Sequence, residues 1–320
     1  ASEIKTVDDL VQVWMPSDPP ASKSHRKHWL SHIEAFCAFV GHRDPRLVTR
    51  EDAFRWRDAL ILSGMTARTV HNARIAALRA LFQYAVHADV VSENPFANVI
   101  VRYDPRAFQR RAFSSAEAKM ILAATLGTFE KQRPHTQAVR RWIPWICAFT
   151  GARVGEVMQL RRSDVREVEG IPVMVIDPEA GPVKGYVGRT VPLHPQLIED
   201  GLLEFVRQRP DGPLFADENG ELHRFTTPQY LAKWIRSLGI KDKKAAPLHS
   251  FRHRFKSVAR EAGIQREYHQ AITGHRAGRT RGDDYGEVPI SALYREILKL
   301  PRIAVNPPTQ ATPERLCQPT

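Results

Sequence analysis

With 320 residues, 42% of them hydrophobic and 26% charged, the chain has the make-up of a soluble globular protein of about two domains, which argues against wholesale disorder or a fibrous repeat. Forty-seven Lys and Arg against 35 Asp and Glu leave +12 at pH 7, the electrostatic mark of a polyanion binder. No apolar run approaches the roughly 18 residues of a membrane span, the acids near Ala1 are unlike a secretory signal, and Cys37, Cys147 and Cys317 suggest neither a disulfide framework nor a metal cluster. A reducing cytoplasm is the expected setting.

Trp29, Ile33, Phe36, Cys37 and Val40 recur every three or four residues, which predicts a helix with one buried stripe. A second helix is predicted from Thr49, with Asp52 three positions on in a capping-box arrangement and Phe54, Trp56 and Leu60 following. A third begins near Thr66, carries Val70, Leu78, Leu81, Phe82 and Ala85, and breaks at Asn94-Pro95. Residues 1–100 are therefore expected to be a small helical domain. Periodicity is then lost, and residues 101–113 read as a linker that gathers Arg102, Arg106, Arg110 and Arg111 around Pro105. These arginines suit either a solvated connection or a crossing over a phosphate backbone. A helix opening at Ser114 or Ser115, with Glu117 or Lys119 following, starts a second domain over residues 114–300.

Residues 143–149 are apolar, Thr150-Gly151-Ala152 punctuates them, and Arg153 falls in the first turn of a helix running to Leu160. Two β-like pieces, 173–176 and 189–193, are separated by Gly181, Pro182, Gly185 and Gly188, which suit turns in a small antiparallel sheet. Helices are predicted over about 195–207, 227–238, 249–262 and 290–300. The tail 301–320, rich in proline, is expected to be disordered. The fold class is thus mainly α: a helical domain, then a mostly helical domain with one small antiparallel sheet. Cutting after Arg110 leaves 15 basic and 12 acidic residues before the cut (+3) and 32 against 23 after it (+9), so most of the positive excess lies in the second part.

Four features of that second domain stand in order: Arg153 in Thr-Gly-Ala-Arg-Val-Gly-Glu; Lys184 in a glycine-rich hairpin; His249 and Arg252 in His-Ser-Phe-Arg-His; and Gly274-His275 followed by Tyr285. Together they resemble the tyrosine recombinase, or phage integrase, family, whose catalytic domain carries an Arg, Lys, His-x-x-Arg, His, Tyr series. The resemblance covers about residues 114–300. It implies that residues 1–100 are a core-binding domain and that the two domains clamp duplex DNA. It also implies a site-specific recombinase that cuts and rejoins DNA through a 3′-phosphotyrosyl intermediate, without metal or nucleotide cofactor. A type IB topoisomerase, relaxing DNA as a monomer, and a non-catalytic DNA-binding factor on the same fold are the alternatives.

The chemistry needs these residue types. The guanidinium forks of Arg153 and Arg252 match two non-bridging phosphate oxygens. Lys184 can protonate the departing 5′ oxygen. His249, three positions before Arg252, lies on the same helical face, and by resemblance it takes proton transfer or a phosphate hydrogen bond while His275 hydrogen-bonds phosphate. By the same resemblance Tyr285 is the expected nucleophile, a phenol that needs surrounding cations because its ordinary pKa is about 10. Tyr294 is set aside because it falls within the apolar pattern of Ile290, Leu293, Ile297 and Leu298. His253 is expected to make a structural hydrogen bond. Glu156 either orients a cation or serves as a first-turn acid.

Two features depart from the family's pattern: the His275 to Tyr285 interval is ten residues where nine is commoner, and Asp283-Asp284 precedes the nucleophile. The resemblance further implies a homo-tetramer on recombination sites, accessory DNA-bending proteins, a bacterial or phage-encoded protein of a mobile element that works at the nucleoid, and docking of either the amphipathic stretch 290–300 or the tail beyond it on a neighbouring protomer; the pattern of 290–300 alone suits a helix folded onto its own core equally well. The opening at Ala1 without methionine suggests a trimmed start, ahead of which some integrases carry an arm-binding domain.

Overall fold

The computed structural model describes residues 4–17, 23–104, 109–127, 132–181, 188–224, 226–275 and 288–307. The chain divides into two compact units, Ala1–Gln109 and Arg110–Thr320.

The first unit is helical: α1 Val7–Ser17, α2 Lys23–Val40, α3 Arg50–Leu62, and a continuous helix in which α4 Ala67–Thr69 runs through a π-helical stretch, Val70–Ile75, into α5 Ala76–His87. Thr49 caps α3 through the expected box with Asp52, and the Thr66 hydroxyl accepts from the Thr69 amide at the start of α4. Leu10, Trp14, Ile33, Phe36, Phe82 and Phe96 meet in one core, with edge-to-face packing of Phe36 on Phe96 at 5.1 Å.

The second unit opens at α6 Ser115–Ala124, capped by Ser114 in a box with Glu117, and continues with the long α7 Pro134–Thr150 and the short α8 Val154–Met158. Three antiparallel strands follow in the order β1-β2-β3: Val165–Val168, Ile171–Ile176 and Arg189–Pro192. Strands β1 and β2 join through Glu169-Gly170, with φ of 53° and 75°, the positive pair that a two-residue hairpin turn requires. Helices α9 Pro195–Glu199, α10 Leu202–Gln208, α11 Thr226–Ser237, α12 Ser250–Glu261, α13 Arg266–Thr273 and α14 Ile290–Ile297 complete the unit. Phe149, Trp145, Val157, Val191, Phe251, Phe255 and Ile272 are among the side chains of its core.

Several expectations change. The helix expected over 195–207 is two helices, because Gly201 adopts φ 93° between them. The linker's ends are held: Val101 is buried in the first core and Phe113 in the second. Arg111, read as part of either a solvated connection or a phosphate crossing, instead binds Glu117 at 2.7 Å and Asp242 at 2.6 Å. The first part of the tail expected to be disordered is packed. Ile303 and Gln196 exchange two hydrogen bonds of 2.8 and 2.9 Å, Arg302 pairs with Glu199, and Ile303 and Val305 lie on the core. Residues 308–320 lie outside the described residues. For the stretch 290–300, read as either docked on a neighbouring protomer or folded onto its own core, the second holds: Leu293, Ile297 and Leu300 are buried in this unit's core. Among the described residues, no helix is long and apolar enough to cross a membrane.

Candidate active site

Arg252 is at the centre of the site. It follows Phe251 on α12, is only 9% exposed, and donates from one nitrogen, Nη1, to two backbone carbonyls: Gly151 at 2.8 Å and Thr273 at 2.6 Å. Those carbonyls lie two residues before Arg153 and two before His275. One buried guanidinium thus draws together the chain segments that carry both. Its Nη2 has no hydrogen-bond partner among the described residues. Burial, and then the charge of Arg153, pull the Arg252 pKa down to about 10, which still leaves a cation at neutral pH.

Gly151 makes this approach feasible. It ends α7 with φ 60°, and a Cβ there would stand 2.6 Å from the Phe255 ring and 2.9 Å from the Thr273 methyl. Arg153 follows as the cap of α8, with a quarter of its side chain exposed and Nη1 donating to Glu156 Oε1 at 2.5 Å. His249 caps α12 at the surface, three positions before Arg252. Partial desolvation, and then the charges around it, Arg110 foremost, hold its pKa below the ordinary histidine value. The ring is therefore neutral at pH 7, able to donate from one nitrogen and accept at the other. Lys256, one turn beyond Arg252, is pulled below the usual lysine range by burial and by the Arg252, Arg260 and Arg153 charges. His253, expected to make a structural hydrogen bond, is exposed, and its ring has no such partner among the described residues.

Two site residues emerge that the sequence reading left open or missed. Glu156, 2% exposed, accepts from the Arg153 amide at 3.0 Å and from Arg189 Nη2 at 2.6 Å. Burial works to raise its pKa, and these partners outweigh that and hold it below the usual carboxylate range. Arg189, at the start of β3, also donates from Nε to the Ile272 carbonyl at 2.9 Å. Neither pairing shows in the sequence, because Arg189 is 33 positions from Glu156 and further still from Ile272. The available signal was a glutamate within an apolar stretch, which needs a cationic partner once buried.

His275 is exposed immediately after Gly274, which ends α13 with φ 60°. Lys184 and Tyr285 lie outside the described residues, as do Asp283 and Asp284. Arg153, His249, Arg252 and the His275 segment are thus brought to one region. Asp217, Glu221 and His223 could hold a cation by geometry, their ligand atoms lying within 4.8 Å of one another, but Asp217 already accepts from two backbone amides and from His223.

No family model matches the chain, and neither does any curated protein. Solved structures do. Phage lambda integrase, as a dimer bound to a COC′ core site, is similar with a TM-score of 0.66 and 15% identity over 89% of this chain and 80% of that one. The same integrase as a tetramer on a Holliday junction gives 0.65 and 16%, over 89% and 79%. The Tn1549 transposon integrase in complex with a circular intermediate DNA gives 0.66 and 18%, over 93% and 100%. The chain has the fold of these phage and transposon integrases, the tyrosine-recombinase fold.

Proposed function

We propose that the protein is a site-specific DNA recombinase that cleaves and rejoins duplex DNA through Tyr285. The observation that carries this reading is the Arg252 guanidinium tied to Gly151 and Thr273, which gathers Arg153, His249 and His275 around one cationic patch within an integrase fold. Arg153 and Arg252 bind the non-bridging oxygens of the scissile phosphate and neutralise the charge that builds on them. His275 adds a hydrogen bond, and neutral His249 takes or relays the phenolic proton. The Tyr285 oxygen attacks phosphorus, forming the 3′-phosphotyrosyl bond while the bond to the 5′ oxygen breaks. Lys184 delivers the proton that makes the departing oxygen a 5′ hydroxyl. In rejoining, a 5′ hydroxyl attacks phosphorus, the phenol leaves and the proton returns. The phosphotyrosyl bond keeps the phosphodiester's energy, so the cycle needs no nucleotide.

The similar lambda and Tn1549 integrases were captured on DNA, lambda integrase as a dimer and as a tetramer. We carry duplex DNA as substrate, and a tetramer as working assembly, to this chain on that basis. The test is a nicked suicide duplex drawn from the borders of the encoding element. Wild-type protein forms a denaturant-resistant adduct with it, and Tyr285→Phe binds the same DNA without forming one. An adduct that persists in the variant overturns the assignment of the nucleophile. DNA binding by both proteins with no adduct from either favours a binding factor instead.

A further inference from the structure

At the C-terminal end of α13 the Gln270 and Ala271 carbonyls accept from the His275 and Gly274 amides, and two arginines reach the last two carbonyls, which the helix leaves without amide donors. Arg252 takes the carbonyl of Thr273. Arg189, from a different part of the chain, takes that of Ile272 at 2.9 Å. The Arg189 guanidinium also lies directly under Gly274, where a Cβ would stand 2.7 Å from Nη1 and 2.9 Å from Cζ. Its other end is fixed, since Nη2 binds Glu156 at 2.6 Å and the same carboxylate holds both the amide and the side chain of Arg153. Arg189 and Glu156 are 9% and 2% exposed, so solvent does little to screen them and neither side chain has room to swing.

We infer that Arg189 is a positioning residue, which sets His275 against Arg153 by clamping Ile272 and Gly274 at one end and Glu156 at the other. The inference rests on the recombinase reading for its consequence in DNA cleavage, and on geometry alone for the placement of His275. A lysine at this position keeps a cation beside Glu156. It has one nitrogen and no planar fork, so it cannot hold Glu156 and the Ile272 carbonyl together.

Arg189→Lys therefore leaves DNA affinity near wild type and slows adduct formation by about 10²-fold, the order expected when a reacting group is displaced by about 1 Å. The readouts that separate positioning from a merely structural role are a double-mutant cycle and histidine side-chain NMR of the DNA-free protein. In a His275→Ala background, Arg189→Lys changes the rate by no more than about twofold, because what it positions has gone. The His275 imidazole resonance moves in Arg189→Lys, and it moves also in Gly274→Ala, which keeps the arginine but sets a Cβ against it. Thermal unfolding shows both variants folded. The inference fails if the resonance stays in place in both folded variants, or if Arg189→Lys costs the same factor with and without His275. A wild-type protein that forms no adduct would count against the recombinase reading, and the NMR result would still decide the placement.

Discussion

Gly151 shows how much the site asks of single residues. Its φ of 60° and the 2.6 Å that would separate a Cβ from the Phe255 ring both exclude a side chain. Gly151→Ala is expected to destabilise the second unit by about 1–3 kcal/mol, read as a lowered thermal midpoint. Glu156 poses the corresponding electrostatic question. Its folded pKa lies below the ordinary 4.5, so its contribution to stability is fully present above that value and is lost as pH falls through the folded pKa. Urea unfolding of the wild type should show this loss in the acid range below about 4.5. Glu156→Gln leaves Arg189 buried without its counter-charge and should cost about 3–5 kcal/mol at pH 7, with a flatter acid dependence. A variant as stable as wild type at pH 7 would show that the buried pair contributes nothing to the fold.

Among the elements, what could be read from sequence was what neighbours decide. The Thr49 and Ser114 caps with Asp52 and Glu117 are satisfied within one turn; the first stands as expected, and of the two serines left open for the second it is Ser114 that caps. Thr49→Ala and Ser114→Ala should each cost about 1 kcal/mol, in the first and second unit respectively, by urea unfolding; no measurable loss would contradict the cap geometry. Strand β1 was missed because Val-Arg-Glu-Val is a mostly exposed edge with no alternation of burial. Helix α13 was missed because Arg-Glu-Tyr-His-Gln-Ala-Ile-Thr is largely polar and buries only His269, Ile272 and Thr273. The segment from 301 was read as a disordered tail from its prolines, yet Gln196 takes up its backbone at Ile303. Lys184 and Tyr285 lie outside the described residues, and among the rest the nearness of His249 to Arg252 was legible because their spacing is local. The Glu156–Arg189 clamp was not, because only the packing of α8 and α13 against β3 brings its partners together.

For the molecule as a whole, the excess of +12 predicts an affinity for duplex DNA that falls steeply and log-linearly with salt as counterions are released. Fluorescence titrations across salt concentrations would show it, and an affinity indifferent to salt would rule out backbone contact as the main source of binding. Cleavage through one particular tyrosine is the central claim. The most direct measurement is to digest the wild-type adduct with protease and sequence the peptide that carries the nucleotide. The account predicts a peptide containing Tyr285, joined to a 3′ phosphate, with a free 5′ hydroxyl on the other strand end. A nucleotide on Tyr294, or a linkage to a 5′ phosphate, would contradict it.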